Sequence, residues 1–151
     1  MADKLGVDEE TRRAAEFGAL LHDVGKVAIP NHIINKPGAL DADEWDVIRR
    51  HTIEGQRMLE TVGGLLAKVG VVVRASHERY DGGGYPDGLA GAQIPLAARI
   101  VAACDAFNAM TTDRSYRKAM SHEVAVAELR NNAGTQFDPD VVEALVAVAV
   151  A

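Results

Sequence analysis

Apolar positions recur along this chain with the period of a helix and almost nowhere with the period of a strand. Phe17, Leu21 and Val24 form one stripe behind Asp8, which suits an N-cap, and predict a first helix running to about residue 26. Pro30 and Pro37-Gly38 punctuate the loop that follows. Asp41 and Glu44 have capping-box spacing, and Leu40 can staple against Trp45. A second helix is therefore expected from Asp41 to about residue 61, ahead of Gly63-Gly64. Leu66, Val69, Val73 and Ser76 share a face of a third helix, from residue 65 to about residue 79. The run Asp81-Gly82-Gly83-Gly84-Tyr85-Pro86-Asp87-Gly88 fits no regular element. Pro95 suits the first turn of a fourth helix ending near Met110, Ser121 caps a fifth, and Asp138-Pro139 opens a sixth. No segment alternates long enough for a strand, and no repeat or low-complexity linker divides the chain. The pattern predicts one all-α domain over residues 1–151, a bundle of about six helices with an extended glycine-rich loop.

Composition narrows the function more than the fold. A length of 151 residues suffices for a buried core, and 48% hydrophobic with only 5% aromatic residues suits closely packed helices. A net charge of −6 argues against a general nucleic-acid surface, which needs a basic face. The one cysteine, Cys104, excludes an internal disulfide framework and suits a reducing compartment. No apolar run reaches the ~18–20 residues that span a bilayer. A cytoplasmic protein without direct membrane contact is the expectation.

Several residues stand out against that background. His22 shares a helical face with Ala15, Ala19 and Lys26, and Asp23 lies about 100° round the helix. The two could approach one point, the imidazole binding one cation and the carboxylate bridging two. A helix-end histidine beside a solvated aspartate is the blander meaning. His51 lies on the inward face with Ile48, Gly55 and Met58, as a ligand or as a hydrogen-bonded core residue. His77 follows Val73 by one turn, and Glu78 could orient an imidazole as an outer acceptor. Asp105 lies in the apolar run Ile100-Val101-Ala102-Ala103-Cys104. A carboxylate buried there needs a metal or an ion pair, with Arg99 or Arg114 as the available cations. The cluster from Asp113 to Lys118 holds Arg114 and Arg117, whose forks match phosphate oxygens, although charge runs are commonly solvated turns.

Together these segments resemble the HD-GYP family over nearly the whole chain. His22-Asp23-Val24-Gly25-Lys26 matches its HDxGK signature, and His77-Glu78-Arg79-Tyr80-Asp81-Gly82-Gly83-Gly84-Tyr85-Pro86 stands for HExxDGxGYP. Lys36-Pro37-Gly38, Arg50-His51, the run from Asp105 to Thr111, Asp113-Arg114-Ser115-Tyr116-Arg117 and the run from Gly134 to Pro139 also match. The resemblance implies an HD-domain helical bundle and metal ligation by His22, Asp23, His51, His77 and Asp105, with Asp23 bridging. It implies a catalytic role for His22, Asp23 and Lys26, the last beside the scissile phosphate. Arg114 and Arg117 would grip phosphates, and Tyr85 and Pro86 would shape the loop beside the nucleotide. The implied cofactors are two or three divalent metals, iron or manganese. The implied substrate is cyclic di-GMP, opened to pGpG and/or GMP. A diguanylate cyclase, a fused sensory or receiver domain and a second copy of the chain are the partners compatible with it.

Two departures bear on activity. Ser76 stands where the family pairs a second histidine, and the further upstream histidine of the family has no counterpart among the 21 residues before His22. Fewer metals and slow turnover are expected from those losses. The competing readings are a weakly active or inactive domain serving as a cyclic di-GMP sensor or docking module, and a broader HD phosphohydrolase of nucleotides. Gly84-Tyr85-Pro86 argues against the latter.

Overall fold

The computed structural model describes residues 1–113 and 118–149. The all-α expectation holds: the described residues form α-helices and short 3-10 turns, with only two isolated β-bridges, Asp81 to Ala90 and Ala133 to Phe137. A short α1 (Ala2–Leu5) precedes α2 (Glu9–Leu21), which Asp8 caps by accepting from the Thr11 amide at 2.8 Å. Helix α2 ends earlier than its apolar stripe suggests. His22 terminates it, and the chain continues as a 3-10 turn, Val24–Ala28. The cause is tertiary. Gly25 lies so close to the next helix that a Cβ there would stand 1.9 Å from the His51 carbonyl oxygen. The tighter turn lays the Gly25 backbone against that helix.

The predicted loop contains α3 (Asn31–Ile34). The expected second helix is two: α4 (Ala42–Arg49), started by the full Asp41–Glu44 capping box, and α5 (His51–Val62). Arg50 divides them, its amide donating back to Val47 at 3.2 Å in 3-10 fashion. Next comes α6 (Leu65–Ala75), which stops at Ser76 and not near residue 79. After the glycine-rich loop, α7 (Leu96–Thr111) begins just past Pro95. Helix α8 (His122–Asn131) carries the Ser121 cap. Helix α9 (Pro139–Ala149) is capped by buried Asp138, which accepts from the Asp140 amide at 2.8 Å and also pairs with Arg99.

Helix α7 is the axis of the domain. Its Ala97, Ala98, Val101 and Ala103 are buried in one core with Ala14 and Ala15 of α2, Ala125 and Leu129 of α8, and Val141 and Val142 of α9. Alanine dominates because α7 is enclosed by helices and leaves no room for larger side chains. A second cluster, Leu59, Val69 and Val73, joins α5 to α6. Among the described residues no helix is long and apolar enough to cross a membrane.

Candidate metal centre

Four helices and a 3-10 turn deliver polar side chains to one place. His22 stands at the end of α2, Asp23 opens the 3-10 turn, His51 begins α5, His77 follows α6, and Asp105 projects from the middle of α7. The five expected ligands meet. His51 Nε2 lies 3.6 Å from Asp23 Oδ1, His22 Nε2 lies 3.7 Å from Asp23 Oδ2, and His22 Nε2 lies 3.7 Å from Asp105 Oδ1. The His51 and His77 rings are 5.0 Å apart, those of His22 and His77 6.3 Å. Asp23, His51 and His77 each offer a ligand atom within 4.8 Å of the other two, a group that could hold a metal ion.

The polar atoms of this group are unsatisfied in a way folding alone does not account for. Asp23 Oδ1, His51 Nε2 and His77 Nε2 are buried and have no hydrogen-bond partner. Leaving such an atom unpaired costs about 1–3 kcal/mol, so three in one spot suit a cation as their shared partner. The tautomers agree. His51 Nδ1 sits 2.7 Å from the Ile48 carbonyl and His22 Nδ1 sits 2.9 Å from the Ala19 carbonyl. Each carbonyl accepts the Nδ1 proton and leaves the Nε2 lone pair facing the centre.

Electrostatics favours the ligating protonation states. Burial, then the charges of His51 and His22, brings the His77 imidazole down to about 4. Burial also lowers His51, against the opposing pull of the Ile48 carbonyl and Asp23. Both are neutral at pH 7, as metal ligation requires. Burial alone would raise the Asp23 carboxyl, but the Lys26 ammonium 2.7 Å away, with His22 and His51, holds it below the usual carboxylate range. The residues fit a divalent cation: imidazole nitrogens and carboxylate oxygens, deprotonated and aimed at one point.

The expectations for Asp105 and Glu78 need correction. Asp105 is not enclosed by its apolar helix; its side chain is 41% exposed and opens to a cleft. Arg99 is not its partner, being paired with Asp138. Glu78 orients no imidazole. It is buried, with Oε1 accepting from the Asp87 amide (2.7 Å) and the Gly88 amide (3.1 Å), and Oε2 from the Leu89 amide (3.1 Å). Glu78 thereby fixes the far side of the glycine-rich loop. Gly84 fits beneath it because a Cβ would come 2.3 Å from the Arg79 nitrogen. Ser76 is buried, and its hydroxyl donates to the Val73 carbonyl at 2.8 Å. Lys26 is engaged with Asp23. Tyr85 stacks on His77 at 5.1 Å and 15°, with Pro86 following through a cis peptide bond. Arg114 and Arg117 lie outside the described residues.

One participant escaped the sequence reading. Arg49 lies over the Tyr85 ring, 5.4 Å from its centroid, and lines a cleft of about 410 Å³ with His77 and Asp105. Only its position two residues before His51 hinted at this.

A helical bundle with a histidine–aspartate centre at the meeting of α2, α5, α6 and α7 defines a class: helical proteins that gather candidate metal ligands from separate helices. Residues 1–141 match the HD domain model, and the chain belongs to the HD domain family. Within it, the HD-GYP identity read from the motifs stands. The chain is 45% identical over 146 residues to the cyclic di-GMP phosphodiesterase response regulator RpfG of Xanthomonas campestris pv. campestris, covering 96% of this chain and 39% of that protein. It is 42% identical over 146 residues to the cyclic di-GMP phosphodiesterase PA4108 of Pseudomonas aeruginosa, covering 97% and 35%. The chain thus spans little more than a third of these relatives. The fold is similar to that of a cyclic GMP-AMP specific phosphodiesterase of Vibrio cholerae, with a TM-score of 0.71 at 20% identity over 99% of this chain and 40% of that one.

Proposed function

We propose that this domain hydrolyses cyclic di-GMP in a metal-dependent reaction, giving pGpG and/or GMP. The observation that carries the reading is the trio of buried, unpartnered atoms, Asp23 Oδ1, His51 Nε2 and His77 Nε2, completed by His22 and Asp105. The names of the relatives support the substrate.

Asp23, His51 and His77 would hold one divalent cation. His22, Asp105 and the second oxygen of Asp23 would hold another, with iron and manganese suiting the nitrogen and oxygen donors. The two Asp23 oxygens already face different partners, Oδ1 toward His51 and Oδ2 toward His22 and Lys26. Such cations, when bound, acidify a water and polarise phosphate oxygens. The chain's own groups do the rest. The Ile48 and Ala19 carbonyls fix two imidazoles, and Lys26 places positive charge at the edge of the centre. Arg114 and Arg117 would neutralise phosphate. The Ser76 hydroxyl, committed to Val73, is a poor ligand and favours fewer tightly held cations than the family pattern supplies.

The test is metal analysis of anaerobically purified protein, then chromatography of nucleotides after incubation with cyclic di-GMP and, in parallel, 3′3′-cGAMP. Metal-dependent loss of cyclic di-GMP that Asp23→Asn abolishes is expected. Hydrolysis indifferent to chelator or to that substitution would refute the reading.

A further inference from the structure

The metal centre borders a second cavity that the reaction chemistry leaves unused. It has a volume of about 290 Å³ and is walled by Ile34, Leu40, Trp45 and Ile48. His51, His77 and Tyr85 form its inner side, so it is continuous with the centre, and Lys26 stands at the junction. Its aromatic wall is the chain's single tryptophan. Trp45 is 45% exposed and Ile34 40% exposed, so this apolar wall is open to solvent beside the polar centre. The more polar cleft, lined by Arg49, Asp105 and Gln136, lies alongside, and the two cavities share His77 and Tyr85.

We propose that the Trp45 cavity is a purine subsite, taking one nucleobase of the dinucleotide while the scissile phosphate lies at the histidine–aspartate centre. This rests on the proposed phosphodiester substrate. A phosphate at the centre has a nucleoside on each side. One side opens to the polar cleft and the other to an apolar cavity with a partly exposed indole. A purine presents a flat π face to stack on Trp45 and needs little hydrogen bonding from the aliphatic walls. Lys26, at the boundary, is placed to meet the backbone between base and phosphate.

The single tryptophan makes the test direct. Its emission, followed by stopped flow before turnover, should be quenched saturably by cyclic di-GMP. Trp45→Ala should raise KM about 10- to 100-fold, the loss expected of one base–aromatic stack, with kcat and metal content held. Trp45→Phe should recover most of that loss. Hydrolysis with unchanged emission and an unchanged KM in Trp45→Ala would overturn the subsite while leaving the phosphodiesterase reading intact. Wild-type protein that neither binds nor hydrolyses cyclic di-GMP would sink both. Altered sedimentation of Trp45→Ala with no change in KM would mean that a second copy covers this face, and would also overturn the subsite.

Discussion

Two stretches of chain wall the centre, and they treat polar atoms in opposite ways. In the glycine-rich loop polar groups are matched. Glu78 takes three backbone amides, Arg79 and Asp81 form two contacts, Asp81 also holds the Gly83 amide, and Arg74 grips both oxygens of Asp87 at 2.6 and 2.7 Å. At the His22–Lys26 segment and its neighbours His51 and His77, three buried atoms are left without partners. The loop's polar groups shape the frame, and the centre's are kept for something else. Unsatisfied polar atoms in an otherwise well-paired structure locate a ligand more sharply than a cavity does.

The comparison separates activity from stability. The largest effect should come from the centre: Asp23→Asn or His51→Ala should lower hydrolysis on the order of a thousand-fold. Metal-free Asp23→Asn, which keeps the side chain's shape and loses only the half-exposed charge facing Lys26, should unfold close to metal-free wild type, whereas His51→Ala also forfeits the Ile48 hydrogen bond and a buried ring and should be less stable. A large loss of stability in Asp23→Asn would mean that its carboxylate is structural.

Glu78→Ala should do the reverse. Stranding three amides in a nearly closed site should cost about 3 kcal/mol in denaturant melts. Metal content should persist, with kcat/KM falling through disorder of the loop under Tyr85.

Mild acid should strain the centre, ahead of the loop carboxylates Asp81 and Asp87, which their arginine partners hold below the usual carboxylate range. His77 titrates at about 4 in the fold against its ordinary 6.5. Between those values the unfolded chain binds a proton that the folded chain refuses. In chelator-stripped protein this contribution is therefore complete above about pH 6.5 and lost as pH falls toward 4, up to about 3 kcal/mol from this group. His77→Gln should flatten that part of a stability–pH profile. An equal slope in the variant would assign the effect elsewhere.

The smallest expected change is a gain. Ser76→His, replacing a hydroxyl spent on Val73, should raise metal per chain and lift activity by up to about tenfold. Unaltered metal content would show that position 76 does not reach the centre.

Helix order and the side chains that converge on the candidate centre were legible because both rest on local signals: caps at Asp8, Asp41 and Ser121, apolar periodicity, and spaced motifs. What escaped was set by distant contacts. The end of α2 at Leu21 follows from Gly25 meeting the His51 backbone, and the break at Arg50 has no glycine or proline to announce it. Asp105 read as buried because its neighbours are apolar, yet its side of α7 faces the cleft. Glu78 was placed beside an imidazole by proximity in sequence, whereas its partners lie nine to eleven residues on.

The most direct test of the centre is calorimetric titration of manganese(II), under anaerobic conditions, into chelator-stripped wild type and Asp23→Asn. Saturable binding to wild type, weakened at least about 100-fold in the variant, is the predicted result. Equal uptake by both would contradict the account, because the unpartnered atoms around Asp23 would then not be the metal site.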